Sequence, residues 1–248
     1  MSTPTIPPSV FAHARAAFLA AGHTLENVRR DFPEWHLGRR RYALWALDVD
    51  LTPVRAAVAK AARHLDGLLL DGYHRQPHIT LALCGFPTPD PIHPDDYGPA
   101  ALDAQLAALQ AACITPFQVE IGTLASFSSA PFLTVADIDG GIARLRHALT
   151  GERPEPGGPF TPHVTVGLYR GAWPTAELIR QLDAFDAPPP FPCPIEGLSL
   201  MSYAAAEIGG PLDTLAEFSF AKQRLLWRNG GPTDAFAPAR HARHASPP

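Results

Sequence analysis

Pro77-His78-Ile79-Thr80-Leu81 and Pro162-His163-Val164-Thr165-Val166 are two stretches of one design, and how they are read decides the fold. β-Branched and apolar residues fill each stretch, with turn-forming residues close by, which predicts two β-strands. Side chains on a strand alternate between its faces with period two. His78 and Thr80 therefore point one way while Ile79, Leu81 and Leu83 point the other; His163 and Thr165 repeat the arrangement against Val164, Val166 and Leu168. One face of each strand suits a core, and the other presents an imidazole and a hydroxyl. Side by side, the strands would bring two imidazoles and two hydroxyls to one spot, a set suited to proton transfer around a phosphate. A single H-x-T is a weak pattern, and His244-Ala245-Ser246 fits its looser form in a stretch with no strand character. The weight lies in the pairing: both histidines follow a proline, both sit in the same alternation, and both have the hydroxyl two residues on.

Working outward from the motifs, strands and helices alternate. Residues 42–49 predict a first strand, and Thr52-Pro53 a helix entry, with a hydroxyl cap and proline at the first position, running over 54–70. The first motif strand continues to Phe86. Residues 100–113 read as a helix, 117–124 and 131–135 as strands joined across a serine turn, and 141–149 as a helix. A Gly/Pro-rich run over 151–159 precedes the second motif, and 174–185 read as a helix that Pro188-Pro189-Pro190 stops. Strands follow near 195–203 and 214–220. Helices of this length joining strands predict an α+β fold of two similar lobes, each a mainly antiparallel sheet with flanking helices, around a central cleft. The expected division is an N-terminal helical extension over 1–38, the bilobal domain over 39–222, and a flexible C-terminal tail over 223–248.

At 248 residues and 46% hydrophobic, the chain can bury a substantial core as one large domain or two lobes. A formal charge of −4 argues against a broad electrostatic grip on long nucleic acid and leaves room for a local basic cleft. Cys84, Cys113 and Cys193 are far apart with no C-x-x-C spacing, which suggests neither a disulfide framework nor a thiolate zinc site and fits a cytoplasmic location. No apolar run approaches the ~20 residues of a membrane span, and residues 1–10 do not read as a secretory signal. G-x-x-x-x-G-K-[ST] does not occur, so nothing points to a P-loop. No carboxylate or third histidine stands beside His78 or His163 at ligand spacing, so neither a metal nor another cofactor is expected. Cys84 shares the predicted face of His78 and Thr80 and is read as a small buried hydrophobe rather than a nucleophile.

The paired motif resembles the 2H phosphoesterase superfamily, in particular its 2′-5′ RNA ligase / RNA 2′,3′-cyclic phosphodiesterase branch. His78, Thr80, Leu81 and Gly85 match a first motif of the form H-x-T-L-x-x-x-G, and Phe160 to Val166 match a second, F-x-P-H-h-T-h, where h is apolar. The similarity covers roughly residues 39–222, from a first strand at Arg41-Tyr42-Ala43-Leu44 to a closing pair between Ser199 and Phe220. It implies metal-independent hydrolysis of a 2′,3′-cyclic phosphate, or a reversible 2′-5′ ligation, with His163 as base and His78 as acid. Thr80 and Thr165 would hold the phosphate oxygens. The implied partner is an RNA end or a small nucleotide bearing a cyclic phosphate, met by a monomer with no membrane involved. Alternatives are a 2H enzyme acting on a small cyclic or oligonucleotide, and a non-catalytic RNA-binding module, against which the intact histidines and threonines weigh. Many relatives carry a basic residue soon after each motif, where this chain has Ala82 and Leu168; Arg170 is the nearest substitute. Tyr169, which shares the predicted face of His163 and Thr165 and could stack on a base or donate a hydrogen bond, joins Arg170 and Tyr42 as a candidate substrate contact, with Arg39 to Arg41 as further cations.

Overall fold

In the computed structural model, which describes residues 8–151, 160–228, 231 and 236, the two motif stretches form strands in two different sheets. The chain starts with helices α1 (Pro8–Ala20) and α2 (Pro33–His36), then runs through strand β1 (Arg41–Asp48), helix α3 (Thr52–His64) and strand β2 (His78–Pro87), which carries the first motif. Strand β3 (Asp96–Tyr97), helix α4 (Pro99–Ala112), strands β4 (Phe117–Ser126) and β5 (Pro131–Ala136) and helix α5 (Gly141–Thr150) lead to β6 (His163–Thr165), the second motif. Helix α6 (Thr175–Asp183) and strands β7 (Phe191–Ile195), β8 (Gly197–Ala204), β9 (Asp213–Ser219) and β10 (Arg224–Trp227) complete the order. The first sheet runs β10-β9-β8-β1-β2-β3 and the second β6-β5-β4-β7. Every pairing except β2 with β3 is antiparallel. The expected mixed fold with two sheet-based lobes is thus the one observed, the two ends of the chain building one sheet and its middle the other.

The sequence dictates the centre of the first sheet. Residues 43–47 of β1 are all buried because both faces are apolar: Ala43, Trp45 and Leu47 join the main core, and Leu44 and Ala46 meet Met201 and Leu212 in a second cluster. The main core continues into the second sheet through Val119, Ile121, Leu133, Val135 and Val164. The motif faces lie away from it.

Strict alternation fails on β2. Its register against β1 slips twice, between Ala43–Gly85 and Leu44–Leu83 and again between Trp45–Ala82 and Ala46–Thr80, leaving Cys84 and Leu81 as extra residues. Each such bulge resets which face the following residues occupy. Leu83, expected in the core, instead lies opposite Leu44 and is 66% exposed. Cys84, expected beside His78 and Thr80, packs on the core, where burial pushes its thiol up to about 12. Gly85 has φ +118°, and a Cβ there would overlap the Asp95 carbonyl oxygen, so only glycine lets β3 approach β2.

Several other expectations are corrected. Helix α3 stops at His64, and Leu51 rather than Thr52 stands at its cap. Leu69 and Leu70 leave the helix because they are recruited to pair with Tyr169 and Leu168. Residues 191–195 form β7 despite Pro192 and Pro194, which an edge strand tolerates because its outer N–H groups have no ladder partner to lose. Part of the supposed tail is structured: residues 224–227 form β10, and Phe236 is buried with its ring 5.6 Å from that of Tyr97. The linker at 152–159 and residues 237–248 lie outside the described residues. The N-terminal extension ties the lobes together. Its Thr24, Leu25 and Asn27 N–H groups donate to the carbonyls of Trp173, Ser128 and Tyr169, and its Trp35 packs on Tyr42 and Phe86. No helix among the described residues is long and apolar enough to cross a membrane.

Two glycines with positive φ make a matched test. Gly67→Ala, at φ +80° in open space, should cost about 1 kcal/mol in urea unfolding. Gly85→Ala adds the clash with Asp95 and should cost roughly 3 kcal/mol or more. Equal costs would mean that the approach of β3 to β2 is not what reserves position 85 for glycine.

Candidate active site

Proline determines how each motif histidine is held. Pro77 and Pro162 have no N–H to donate and force the preceding residue into an extended conformation. The carbonyl of that preceding residue then accepts from the imidazole: His78 Nδ1 lies 2.8 Å from the Gln76 oxygen and His163 Nδ1 lies 2.8 Å from the Thr161 oxygen. A carbonyl can only accept, so Nδ1 carries the hydrogen in both rings and the neutral imidazole keeps its lone pair on Nε2. Two histidines in different sheets thus share one tautomer for one reason.

Strands β2 and β6 come within contact distance, and where they meet His78 is buried and His163 partly exposed. His78 is 6% exposed, and burial, followed by the positive charge of Arg75 and the presence of His163, pushes it down to about 4 against the pull of the Gln76 bond. Burial lowers His163 too, with the Phe127 and Phe132 rings 5.0 and 5.4 Å from it. Thr80 stands opposite Ala46 on the His78 side of β2, and Thr165 opposite Phe132 on the His163 side of β6. Both hydroxyl residues are partly exposed. Tyr73 neighbours Thr165, and burial pushes its hydroxyl up to about 12.

The loop before His78 brings in two residues that the sequence reading missed, Tyr73 and Arg75. Gln76 fixes the loop by donating to the Leu212 carbonyl at 2.6 Å and accepting from the Leu212 N–H at 3.1 Å. The His74 N–H donates to the Gly209 carbonyl, and a Cβ on Gly209 would meet the Tyr73 ring at 2.9 Å. Arg75 lays its guanidinium 4.1 Å from the centre of the Tyr203 ring. The one sequence signal for Arg75 was its place three residues before His78 in a chain lacking a basic residue after either motif. Tyr73 had none, because its partner is distant in sequence.

Of the sequence-predicted residues, His78, Thr80, His163 and Thr165 come together. Tyr169 does not: it is 0% exposed, its hydroxyl is 2.7 Å from Ser126 Oγ, and a ring with no exposed surface has nothing to offer a base. Its backbone is used instead, pairing with Leu69 and Asn27. Tyr42 is the register partner of Tyr203, on whose ring the Arg75 guanidinium lies. It stacks among Trp35, Phe86 and Tyr203. Arg170 is exposed, with its N–H bonded to the Leu68 carbonyl. Arg39 is paired with Asp95 and Asp96, and Arg41 with Asp213, so both serve structure.

The sequence model of the 2′-5′ RNA ligase superfamily matches residues 48–207, a span that holds both motifs, and the chain belongs to that family of phosphodiester-acting enzymes. No curated protein sequence matches the chain. Similar solved structures include TT0787 of Thermus thermophilus, 22% identical over 72% of this chain and 97% of that one, with a TM-score of 0.45. Another is LigT of E. coli complexed with 3′-AMP, 14% identical over 73% and 98%, with a TM-score of 0.47. A phosphoesterase is 13% identical over 72% and 98%, with a TM-score of 0.44.

The depressed imidazole of His78 links stability to pH. An unfolded histidine takes up its proton near ~6.5 and the folded one only near 4, so stability falls as pH drops through that window and no further below it. The loss amounts to about 3 kcal/mol for His78. His78→Asn, which keeps a donor for the Gln76 carbonyl, should show a smaller fall in urea midpoint between pH 7 and 4 than the parent protein. Parallel curves would mean that His78 is not held neutral by the fold.

Proposed function

We propose that the protein is a metal-independent phosphodiesterase that opens a 2′,3′-cyclic phosphate at an RNA end or on a small nucleotide. The observation that supports this best is the twin histidine clamp: two imidazoles with Nδ1 fixed on a carbonyl and Nε2 left for chemistry, each with a threonine hydroxyl two residues on. In hydrolysis one neutral Nε2 takes a proton from water as the water oxygen attacks phosphorus. One of the two ribose P–O bonds breaks, and the leaving ribose oxygen takes the proton carried by the other imidazole. Thr80 and Thr165 donate to the non-bridging oxygens, where charge builds in the transition state. We keep His163 as the base and His78 as the acid, as the resemblance implies. With a 5′-hydroxyl in place of water, the same transfers join two ends through a 2′-5′ link, and energy comes from the cyclic phosphate. The roles of the two histidines exchange with the direction of reaction.

Both imidazoles are depressed, so in the free enzyme the singly protonated pair that the reaction needs is the main form only below pH 6.5. kcat/KM for a 2′,3′-cyclic nucleotide should trace a bell with its maximum on the acid side of 6.5. The kcat bell should sit at higher pH, because a bound phosphate anion favours the imidazolium. His78→Ala and His163→Ala should each lose about 10²- to 10⁴-fold in turnover. All of this is to be measured with a strong chelator present. Activity that vanishes in chelator and returns with zinc or manganese, or near-normal turnover by a folded His163→Ala protein, would contradict the proposal.

A further inference from the structure

We propose that Arg75, stacked on Tyr203 in the loop before the first motif, is the cation that grips the phosphate of the substrate. The inference rests on the active site assigned above and supplies a permanent charge, since burial lowers both imidazoles, the hydroxyls carry no charge, and a phosphodiester is an anion. Developing charge on phosphate oxygens is best offset by a fixed donor in a partly dry site.

Four observations single out Arg75. It is only partly exposed, yet no carboxylate among the described residues pairs with it, whereas Arg15, Arg30, Arg39, Arg41, Arg55 and Arg228 each have one. Its Nε is buried without a hydrogen-bond partner, an unfavourable state that an incoming oxyanion would relieve. The Tyr203 ring supports one face of the planar guanidinium at 4.1 Å, which leaves its edge to present a fork of donors. It stands three residues before His78 in a loop fastened through Gln76 and His74, where its charge acts on both His78 and Tyr73, the neighbour of Thr165. Arg146, by contrast, is committed to the Leu81 carbonyl and the Phe160 ring, and Arg170 is exposed.

The test is calorimetric titration of inorganic phosphate into the full-length protein and its Arg75→Gln and Tyr203→Leu variants, beside KM and kcat for a 2′,3′-cyclic nucleotide. Arg75→Gln should weaken phosphate binding about ten- to a hundredfold, the range of a lost charged hydrogen bond, and raise KM in step. Tyr203→Leu should weaken it less. In the unaltered protein, the Arg75 Nε–H resonance should shift on phosphate addition and saturate with the calorimetric affinity, a readout that needs no variant to fold. Phosphate affinity unchanged by Arg75→Gln, a resonance that does not move, or no phosphate binding at all would overturn the inference. Phosphate binding through Arg75 without turnover of any cyclic phosphate would sink the proposed reaction and leave this inference standing. Turnover that survives Arg75→Gln at unchanged KM would do the reverse.

Discussion

The site depends on one hydrogen bond made twice, from imidazole Nδ1 to the carbonyl two residues upstream. That bond decides which ring nitrogen is free and where it points. A proline between donor and acceptor makes it reproducible, because the ring fixes its own φ and holds the residue before it extended. The role of the fold is to bring two such histidines to one place while keeping water scarce enough to hold both neutral.

The sheets are tied together where the chemistry is. Leu81 is an extra residue in β2, and its carbonyl accepts from the Arg146 guanidinium on α5. The same guanidinium lies 3.6 Å from the centre of the Phe160 ring, three residues before His163. One half-buried side chain therefore links the strand of the first motif to the approach of the second, and desolvation lowers its pKa. The bulge is then a feature of the site: it leaves a carbonyl out of the β1 ladder for the other lobe to bond.

Much of this was legible in the sequence because periodicity reports burial. The alternation around His163, the fully apolar β1 and the proline entry to α3 each state a local fact that the tertiary structure had no reason to override. Where the reading failed, a distant partner made the decision. Leu83 and Cys84 changed faces because of register slips that only β1 defines. Residues 68–70 left a good helical pattern to pair with 168–170. Tyr169 has the right parity for the cleft yet turns its hydroxyl to Ser126. Residues 224–227 looked like the start of a tail because a short edge strand beside β9 has little pattern of its own. Arg75 and Tyr73 belong to a loop whose position is set by Leu212 and Gly209, more than a hundred residues away in sequence.

The central claim is that two neutral imidazoles, each locked by Nδ1 on a carbonyl, present their Nε2 lone pairs to one cleft. Nitrogen-resolved NMR of the histidine side chains, titrated from pH 8 downward, reads this directly. The account predicts the Nδ1–H tautomer for both His78 and His163 at neutral pH, with titration midpoints below 6.5 and that of His78 near 4. An Nε2–H tautomer in either ring, or two independent midpoints at the ordinary histidine value, would contradict it.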